Sequence, residues 1–311
     1  MASSKITQAV IPAAGLGTRQ RPWSQWIPKE LMPIHNHAAI HWVLEEIAQA
    51  GFVQVILIVA ASKHLLVQSV LDKDQAELPP PPAESGQWTN GLWKSPFSQQ
   101  QLEVAFVVQG QPRGLGHALL MAQPYLKKEP FAVCLPDELF FSARQLNRAE
   151  VTPPGSTLQK CCELASQTLQ SIVAVLEVPF ECTPQYGVIA LEPQADGKTF
   201  QQGRVVGAQE KPALGMAASS LALVGRYVFS PALWPYLASQ EPGLRGEIQL
   251  TDSLDRLARQ GEVRAVRVHD IRFDVGDGGQ YVACQLAHLA PNQQWHLEKQ
   301  PLQWVGTTDE S

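Results

Sequence analysis

The 311-residue sequence lacks several features that would mark a specialised class of protein. Charged residues make up only 17% of it and sum to a net charge of −5, so its electrostatics favour neither nucleic acid nor an anionic membrane as a partner. The longest apolar run near the N-terminus, residues 55–61, is too short to cross a bilayer. Because 45% of the residues are hydrophobic, we expect a soluble globular protein whose partners are small molecules.

Cysteine is scarce as well: there are five, and none forms a Cys-x-x-Cys pair. An odd number of cysteines without such a pair fits a reducing compartment, so a cytoplasmic location is expected. Residues 5–16 resemble a signal peptide only faintly, since Pro12 and the glycines after it favour a strand that ends in a turn. His35, His37 and His41 have no cysteine at ligand spacing nearby, so a role other than zinc binding is expected.

The most informative stretch is residues 10–33. An apolar run over residues 6–11 predicts a buried strand, and small residues follow it in the order Pro12-Ala13-Ala14-Gly15-Leu16-Gly17. Such a turn lets backbone N–H groups approach an anion, and the cations Arg19 and Lys29 follow it. This combination suits a polyphosphate. The loop matches neither the dinucleotide fingerprint nor a P-loop, so its spacing alone leaves open an ordinary turn without a ligand.

The first half of the chain alternates predicted strands and helices. The strands are residues 6–11, 53–60, 102–108 and 131–135, and the helices are residues 38–50, 62–71 and 115–122. Alternation of this kind implies right-handed crossovers and a parallel sheet whose ligands sit at the carboxyl ends of its strands. Ala14, Gln109 and Asp137 are each expected at such an end.

Two other regions do not show this alternation of strands and helices. Residues 72–101, with prolines at 79–82, are predicted to be a surface excursion, although Trp88 and Trp93 suggest that it packs on something. The second half has few helices and predicts a mixed or antiparallel extension of the sheet. Its strands are residues 171–178, 185–191, 204–209, 221–229 and 263–268; its helices are residues 158–169, 247–260 and one ending at 289. In the polar stretch 291–311, Trp295 and Trp304 are candidates for an oligomer contact.

Eight segments carry a resemblance to a known family. They are the stretch 10–33, Gln109-Gly110 with Gly114-Leu115-Gly116-His117-Ala118, Leu135-Pro136-Asp137, Tyr186-Gly187-Val188, Glu210-Lys211-Pro212, Val224-Gly225-Arg226-Tyr227, Gly246-Glu247-Ile248-Gln249-Leu250-Thr251-Asp252 and Phe273-Asp274-Val275-Gly276. In this order and spacing they resemble the bacterial UTP-glucose-1-phosphate uridylyltransferases, or UDP-glucose pyrophosphorylases. The resemblance covers the chain from about residue 5 to about residue 289.

The resemblance implies an α/β, Rossmann-like nucleotidyltransferase (glycosyltransferase-A-like) fold, with a central, mostly parallel mixed sheet flanked by helices. One domain would span residues 1–290, with a nucleotide-binding half over about 1–140 and a sugar-binding half over about 141–290, followed by a tail at 291–311. The implied reaction is Mg-dependent transfer of UMP from UTP to glucose 1-phosphate by a homo-oligomer, giving UDP-glucose and pyrophosphate. Both reactants are polyanions, so positioning and electrostatics would carry the chemistry.

The resemblance also implies roles for single residues. Asp137 and Asp274 would hold Mg²⁺, which prefers hard oxygen ligands. Arg19 would draw negative charge off the departing pyrophosphate, and Lys29 would neutralise the α-phosphate. The nucleotide would contact Ala13, Ala14, Gly15, Gly17, Gln109 and Gly114, with the amide of Gln109 reading the uracil edge. Glucose 1-phosphate would contact Gly187, Glu210, Lys211 and Val224, with Lys211 also counted as catalytic.

Three departures from the family pattern keep alternatives open. Ser24-Gln25 stands where the family usually has Thr-Lys, and Gly278 and Gln280 replace a usual lysine and glycine after the second aspartate. The stretch 72–101 also differs from the family's helical one. The alternatives are a sister transferase that uses another nucleotide or sugar phosphate, and a binding or regulatory homologue with weak activity or none.

Overall fold

The first strand, Gln8–Ala13 (β1), is buried at the centre of a ten-stranded sheet. A computed structural model of the chain describes residues 5–74, 77–142, 157–193, 200–243 and 246–289. Alternate side chains of β1 face opposite sides, so Ala9 and Ile11 enter one hydrophobic core and Val10 enters the other. The sheet is therefore covered on both faces. In the described residues, none of the helices is long and apolar enough to span a membrane.

The strands predicted in the first half of the chain form a parallel sheet. Gln54–Val59 (β4) pairs with β1 and with Gln101–Val108 (β6), and Phe131–Cys134 (β7) pairs with the other side of β1, all in parallel. The connections contain the helices Ala39–Gln49 (α1), His64–Leu71 (α2) and Leu115–Ala122 (α3). Short strands Pro33–Ile34 (β2) and His37–Ala38 (β3) pair just before α1. The predicted order of strands and helices is confirmed here, with boundaries shifted by one or two residues.

The proline-rich excursion is partly a strand, which corrects the prediction of a surface segment. Gly86–Lys94 (β5) pairs antiparallel with β6 and forms one edge of the large sheet. Both tryptophans pack into the core, as Trp88 and Trp93 are only 6% and 1% exposed. The register shifts between Gln87 and Thr89, so a bulge lies at Trp88.

The second half extends the sheet with mixed strand directions, as predicted. Its strands are Ser171–Glu177 (β9), Gly187–Leu191 (β10), Gln202–Glu210 (β11), Leu221–Phe229 (β12) and Val263–Arg267 (β13). Strand β12 runs antiparallel to both β7 and β9, and so joins the two halves in one sheet with the order β10-β11-β13-β9-β12-β7-β1-β4-β6-β5. Helices Thr157–Thr168 (α4), Leu233–Ala238 (α5) and Leu250–Arg259 (α6) connect these strands.

A small second sheet that the sequence did not predict lies beside the large one. Glu138–Phe141 (β8) pairs antiparallel with Ile271–Asp274 (β14), and Gly278–Leu289 (α7) follows. The register places Asp274 opposite Glu138, next to Asp137. This pairing brings together two acidic segments that are far apart in the sequence. The stretch 291–311, including Trp295 and Trp304, lies outside the described residues.

Candidate active site

The loop after β1 that contains Gly15 and Gly17, the glycine loop, is held at its start by a buried ion pair. Lys63, which follows β4, donates from Nζ to the carbonyl oxygen of Ala13 at 2.5 Å and to both carboxylate oxygens of Glu30 at 2.8 Å. At the far end of the loop, the Ser24 hydroxyl donates to the carbonyl oxygen of Gly17 at 2.7 Å. Gly15 is exposed, and a Cβ added to it would meet no atom within 4 Å. The loop is anchored at both ends and open to solvent between them.

Two carboxylates and two cations gather beside this loop. Lys29 Nζ lies 2.5 Å from Asp137 Oδ2, and Arg19 donates to the two carboxylate oxygens of Asp274 at 2.8 and 3.3 Å. Arg19 also lies 3.8 Å from Asp137, so one guanidinium bridges both acids. Gly276 lies against three of these side chains: a Cβ added to it would lie 2.8 to 2.9 Å from atoms of Arg19, Asp137 and Asp274. Three residues predicted as site residues therefore surround this glycine, and a fourth, Lys29, joins them through Asp137.

Buried hydrogen bonds fix the segment that carries Asp137. Arg226 is fully buried on β12 and donates to the carbonyl oxygens of Leu135 and Glu138 at 3.1 and 2.8 Å. Its guanidinium is paired with buried Glu46 of α1 at 2.7 Å. On the other side of Asp137, the N–H of Val275 donates to the Asp137 carbonyl oxygen at 2.8 Å. The backbone on both sides of this acid is thus held by groups from other parts of the fold.

The charged side chains of this group shift one another's pKa values. Burial tends to raise the pKa of Asp137, but Lys29 and then Arg19 outweigh it and hold that pKa below its usual range. Burial likewise tends to lower the pKa of Lys29, and the carboxylates of Asp137 and Glu30 raise it instead. At neutral pH the acid is ionised and the amine is protonated. The cleft therefore holds fixed charges of both signs.

The donor set of this group fits a hard divalent cation. The Asp137 and Asp274 oxygens that flank Gly276 each lie 2.9 Å from the same hypothetical Cβ position, so they lie within about 6 Å of each other. A magnesium ion commonly takes only one or two protein carboxylates, its other positions being filled by water and substrate phosphates. Among the described residues there is no cluster of three or more His, Cys, Asp or Glu suited to a metal.

The predicted base-binding residues lie at the end of β6. Gln109 is buried, its backbone N–H donates to the carbonyl oxygen of Val59 at 2.9 Å, and its side-chain Nε2 lies 2.6 Å from Nδ1 of His117. Gly114 adopts a φ of +91°, and a Cβ on it would lie 2.7 Å from the carbonyl oxygen of Ile248. A glycine is needed there both for the backbone conformation and for the close approach of the two chains.

The predicted sugar-binding residues form a second group. The Thr251 hydroxyl donates to Glu210 Oε2 at 2.6 Å, and a Cβ on Gly187 would lie 3.0 to 3.1 Å from both of these side chains. Lys211 is largely exposed, with its Nζ 3.7 Å from Glu210 Oε1. The side chain of Val224 does not join this group, because it is fully buried in the hydrophobic core.

Arg272 and Tyr186 connect the acidic group with the sugar group. Arg272, nearly fully buried, forms a bidentate ion pair with Glu138, and its NH2 lies 3.9 Å from Asp274. Its guanidinium also stacks over the Tyr186 ring at 5.4 Å. The Tyr186 carbonyl oxygen accepts from the backbone N–H of Lys211 at 3.0 Å. A continuous chain of contacts therefore joins the two groups.

Sequence reasoning missed several residues that shape this cleft. Glu30, His117, Arg226, Thr251 and Gly276 all lie inside segments that carry the family resemblance, so their position in those segments was the available signal. Lys63, Glu46 and Arg272 lie outside those segments, and their partners are 33 to 180 residues away in sequence. Only the folded structure reveals them.

A glycine loop at the carboxyl end of a parallel strand, with two acids and two cations gathered beside it, is the arrangement expected of a nucleotidyltransferase. Residues 8–289 match the family model described as nucleotidyl transferase, and the chain belongs to this family. Among its relatives, a UTP–glucose-1-phosphate uridylyltransferase 2 from Staphylococcus saprophyticus is 35% identical over 94% of this chain and 96% of its own. The resemblance inferred from the sequence is confirmed.

Solved structures agree with this assignment. A UDP-glucose pyrophosphorylase complexed with UDP-glucose is 29% identical and superimposes with a TM-score of 0.74, over 91% of this chain and 98% of its own. A UTP-bound UGPase from Acinetobacter baumannii is 28% identical, with a TM-score of 0.72 over 93% of this chain and 95% of its own. The predicted Rossmann-like nucleotidyltransferase fold is confirmed.

Proposed function

We propose that this protein transfers UMP from UTP to glucose 1-phosphate, giving UDP-glucose and pyrophosphate. The observation that carries the proposal is the convergence of Arg19, Lys29, Asp137 and Asp274 around Gly276, beside an open glycine loop. The names of the similar proteins supply the substrates. We assign the nucleotide-binding half to about residues 1–140 and the sugar-binding half to about residues 141–290 of one domain.

The reaction needs no protein nucleophile. A phosphate oxygen of glucose 1-phosphate attacks the α-phosphorus of UTP, a new P–O bond forms, and the bond from the α-phosphorus to the bridging oxygen breaks. Pyrophosphate leaves with the electron pair of that bond. We assign Lys29 to the α-phosphate and Arg19 to the leaving pyrophosphate, where each cation offsets negative charge that builds up in the transition state.

Asp137 and Asp274 are the residues that would hold Mg²⁺. When bound, the ion would supply Lewis-acid stabilisation to the phosphate oxygens. In the structure Lys29 is paired with Asp137 and Arg19 with Asp274, so both cations stand beside the position assigned to the phosphates. The ion pairs seen in the structure would thus keep both cations in place before substrate arrives.

Two groups of residues are assigned to the recognition of the two substrates. Ala13, Ala14, Gly15, Gly17, Gln109 and Gly114 are assigned to the nucleotide, with the carboxamide of Gln109 against the uracil edge. Glu210 is assigned to the glucose hydroxyls and Lys211 to the sugar phosphate. Gly187 leaves room for the sugar, and Val224 could contribute only through its backbone, since its side chain is buried.

Location and assembly are further parts of the proposal. The five cysteines are free thiols, which suits a reducing compartment such as the cytoplasm. The resemblance also implies self-association, which light scattering of the purified protein would measure. A monomer at micromolar concentration would contradict that part and leave the proposed chemistry untouched.

A substrate panel tests the proposed function. Purified protein with Mg²⁺ is given each of several nucleoside triphosphates with each of several sugar 1-phosphates, and pyrophosphate release is measured. UTP with glucose 1-phosphate should be the preferred pair, and Lys29→Ala should lower kcat by about 10²- to 10³-fold. Asp137→Asn should lower turnover as well, whereas Lys73→Ala, an exposed lysine outside the cleft, should not.

The same panel decides between the alternatives. Preference for another triphosphate or sugar phosphate would make the protein a sister transferase. Binding of UDP-glucose without any pyrophosphate release would favour a binding or regulatory homologue. Undiminished turnover in Lys29→Ala and Asp137→Asn would refute the roles assigned to those two residues.

A further inference from the structure

The contact between Gln109 and His117 joins the two parts of one segment that carries the family resemblance, and it has no role in the chemistry described above. Gln109 is only 4% exposed and is the first residue after β6, while His117 lies in the first turn of α3. Gln109 Nε2 and His117 Nδ1 are 2.6 Å apart. In the described residues the carbonyl oxygen of this carboxamide makes no hydrogen bond, so it is free to accept one from a ligand.

We infer that His117 is a positioning residue that fixes the orientation of the Gln109 carboxamide and so lets the site distinguish uracil from cytosine. The inference rests on the proposed function, in which Gln109 lies against the base. It concerns how the site selects one pyrimidine nucleotide over the other.

The chemistry of the two bases makes the orientation of this amide decisive. Uracil presents an N3–H donor beside the O4 acceptor, whereas cytosine presents an N3 acceptor beside the N4 amino donor. A carboxamide has one donor side and one acceptor side, so it matches uracil in one orientation and cytosine after rotation by 180° about Cγ–Cδ. A freely rotating Gln109 would therefore discriminate poorly between UTP and CTP.

His117 can prevent that rotation by accepting a hydrogen bond. With the proton on Nε2, the ring presents an unprotonated Nδ1, to which the amide nitrogen of Gln109 donates. Rotation would instead place the amide oxygen against Nδ1, so the rotated amide requires either two acceptors in contact or a move of the ring proton from Nε2 to Nδ1. Burial, and next the charge of Arg113, lower the pKa of His117, which keeps the ring neutral and Nδ1 available as an acceptor near neutral pH.

The fold also keeps His117 in place. The N–H of Gly116 donates to the carbonyl oxygen of Ile248 at 2.8 Å, and the N–H of Ile248 donates to the carbonyl oxygen of Arg113 at 2.7 Å. These bonds tie the start of α3 to the segment before α6. Both partners of the Gln109–His117 contact are thus held by backbone hydrogen bonds and not by that contact alone.

Three variants test the inference through the ratio of kcat/KM for UTP to that for CTP. His117→Phe keeps a ring but cannot accept a hydrogen bond, and it should lower the ratio by about tenfold. His117→Asp presents only acceptor oxygens near the position of Nδ1 and should keep the ratio within about threefold of the wild type, because its charge affects the binding of both triphosphates alike. His117→Ala also removes the acceptor and introduces a good helix former, so it should lower the ratio by about tenfold even if the larger ring of the Phe variant prevents folding.

The outcomes separate this inference from the proposed function. A wild-type protein that does not turn over UTP contradicts the proposed function. A wild-type protein that prefers UTP, together with Phe and Ala variants that keep the wild-type ratio, overturns only the role of His117. Loss of the ratio in the Asp variant to the same extent as in the Phe variant also overturns it, because the effect would then not depend on an acceptor.

Discussion

Substitution of Gly276 by alanine would test whether the acidic cluster needs its observed geometry. The new Cβ would lie 2.8 Å from an Arg19 nitrogen and 2.9 Å from an oxygen of each of Asp137 and Asp274. Ordinary contacts for such an atom begin at 3.4 Å, so each neighbour must move by about half an ångström. Displacements of this order at a reaction centre cost up to about 10²-fold in rate, and we expect kcat to fall by about 10- to 100-fold.

Gly278→Ala is a matched control for this prediction. Gly278 lies two residues further on, at the start of α7, and a Cβ added to it would meet no atom within 4 Å. Neither glycine has the positive φ that would strain an alanine. Initial rates of pyrophosphate release and thermal unfolding are measured for both variants. Equal activity of the two variants, with both folded, would refute the claim that the carboxylates must sit close to Gly276.

Three further predictions concern the residues around the cluster. Thr251→Val removes the hydrogen bond to Glu210 and should raise KM for glucose 1-phosphate by about tenfold without changing KM for UTP, as steady-state kinetics would show; equal changes in both would contradict the assignment. Lys63→Met leaves Glu30 buried without a partner and should lower the free energy of unfolding, measured in urea, by about 3 kcal/mol. Adding Glu30→Gln should restore much of this loss. No loss of stability in the single variant would contradict the pairing. Because the pKa of Asp137 is depressed in the folded protein, the stability that this ionised carboxylate provides should be constant near neutrality and decline as pH falls below 3.8, the ordinary pKa of an aspartate. Urea unfolding of the wild type and of Asp137→Asn at several pH values would show this. A difference in stability between the two proteins that grew in acid would contradict it.

The parallel half of the sheet was predictable because its strands are covered on both faces. Residues 54–59 are a continuous apolar run after the first position, and such runs indicate buried parallel strands without any knowledge of their neighbours. Strand β5 was missed for the opposite reason. Its two buried tryptophans, Trp88 and Trp93, are an odd number of residues apart, and the bulge at Trp88 breaks the alternation that would have revealed the strand.

The candidate site shows a similar division. Residues such as Lys29 and Asp137 could be predicted because they lie in segments with a recognisable order and spacing. The groups that hold them could not, since Lys63 and Arg272 act through buried partners that the chain brings together only on folding. The two-stranded sheet of β8 and β14 could not be predicted either, because each strand is only four residues long. Yet that short pairing brings Asp274 beside Asp137.

A crystal structure of the protein with UDP-glucose and Mg²⁺ tests the central claim most directly. We expect the ion to bind oxygen atoms of both Asp137 and Asp274, with Lys29 beside the phosphate that was the α-phosphate of UTP and Lys211 beside the sugar phosphate. A product complex in which the ion and both phosphates lie away from these four side chains would contradict the account.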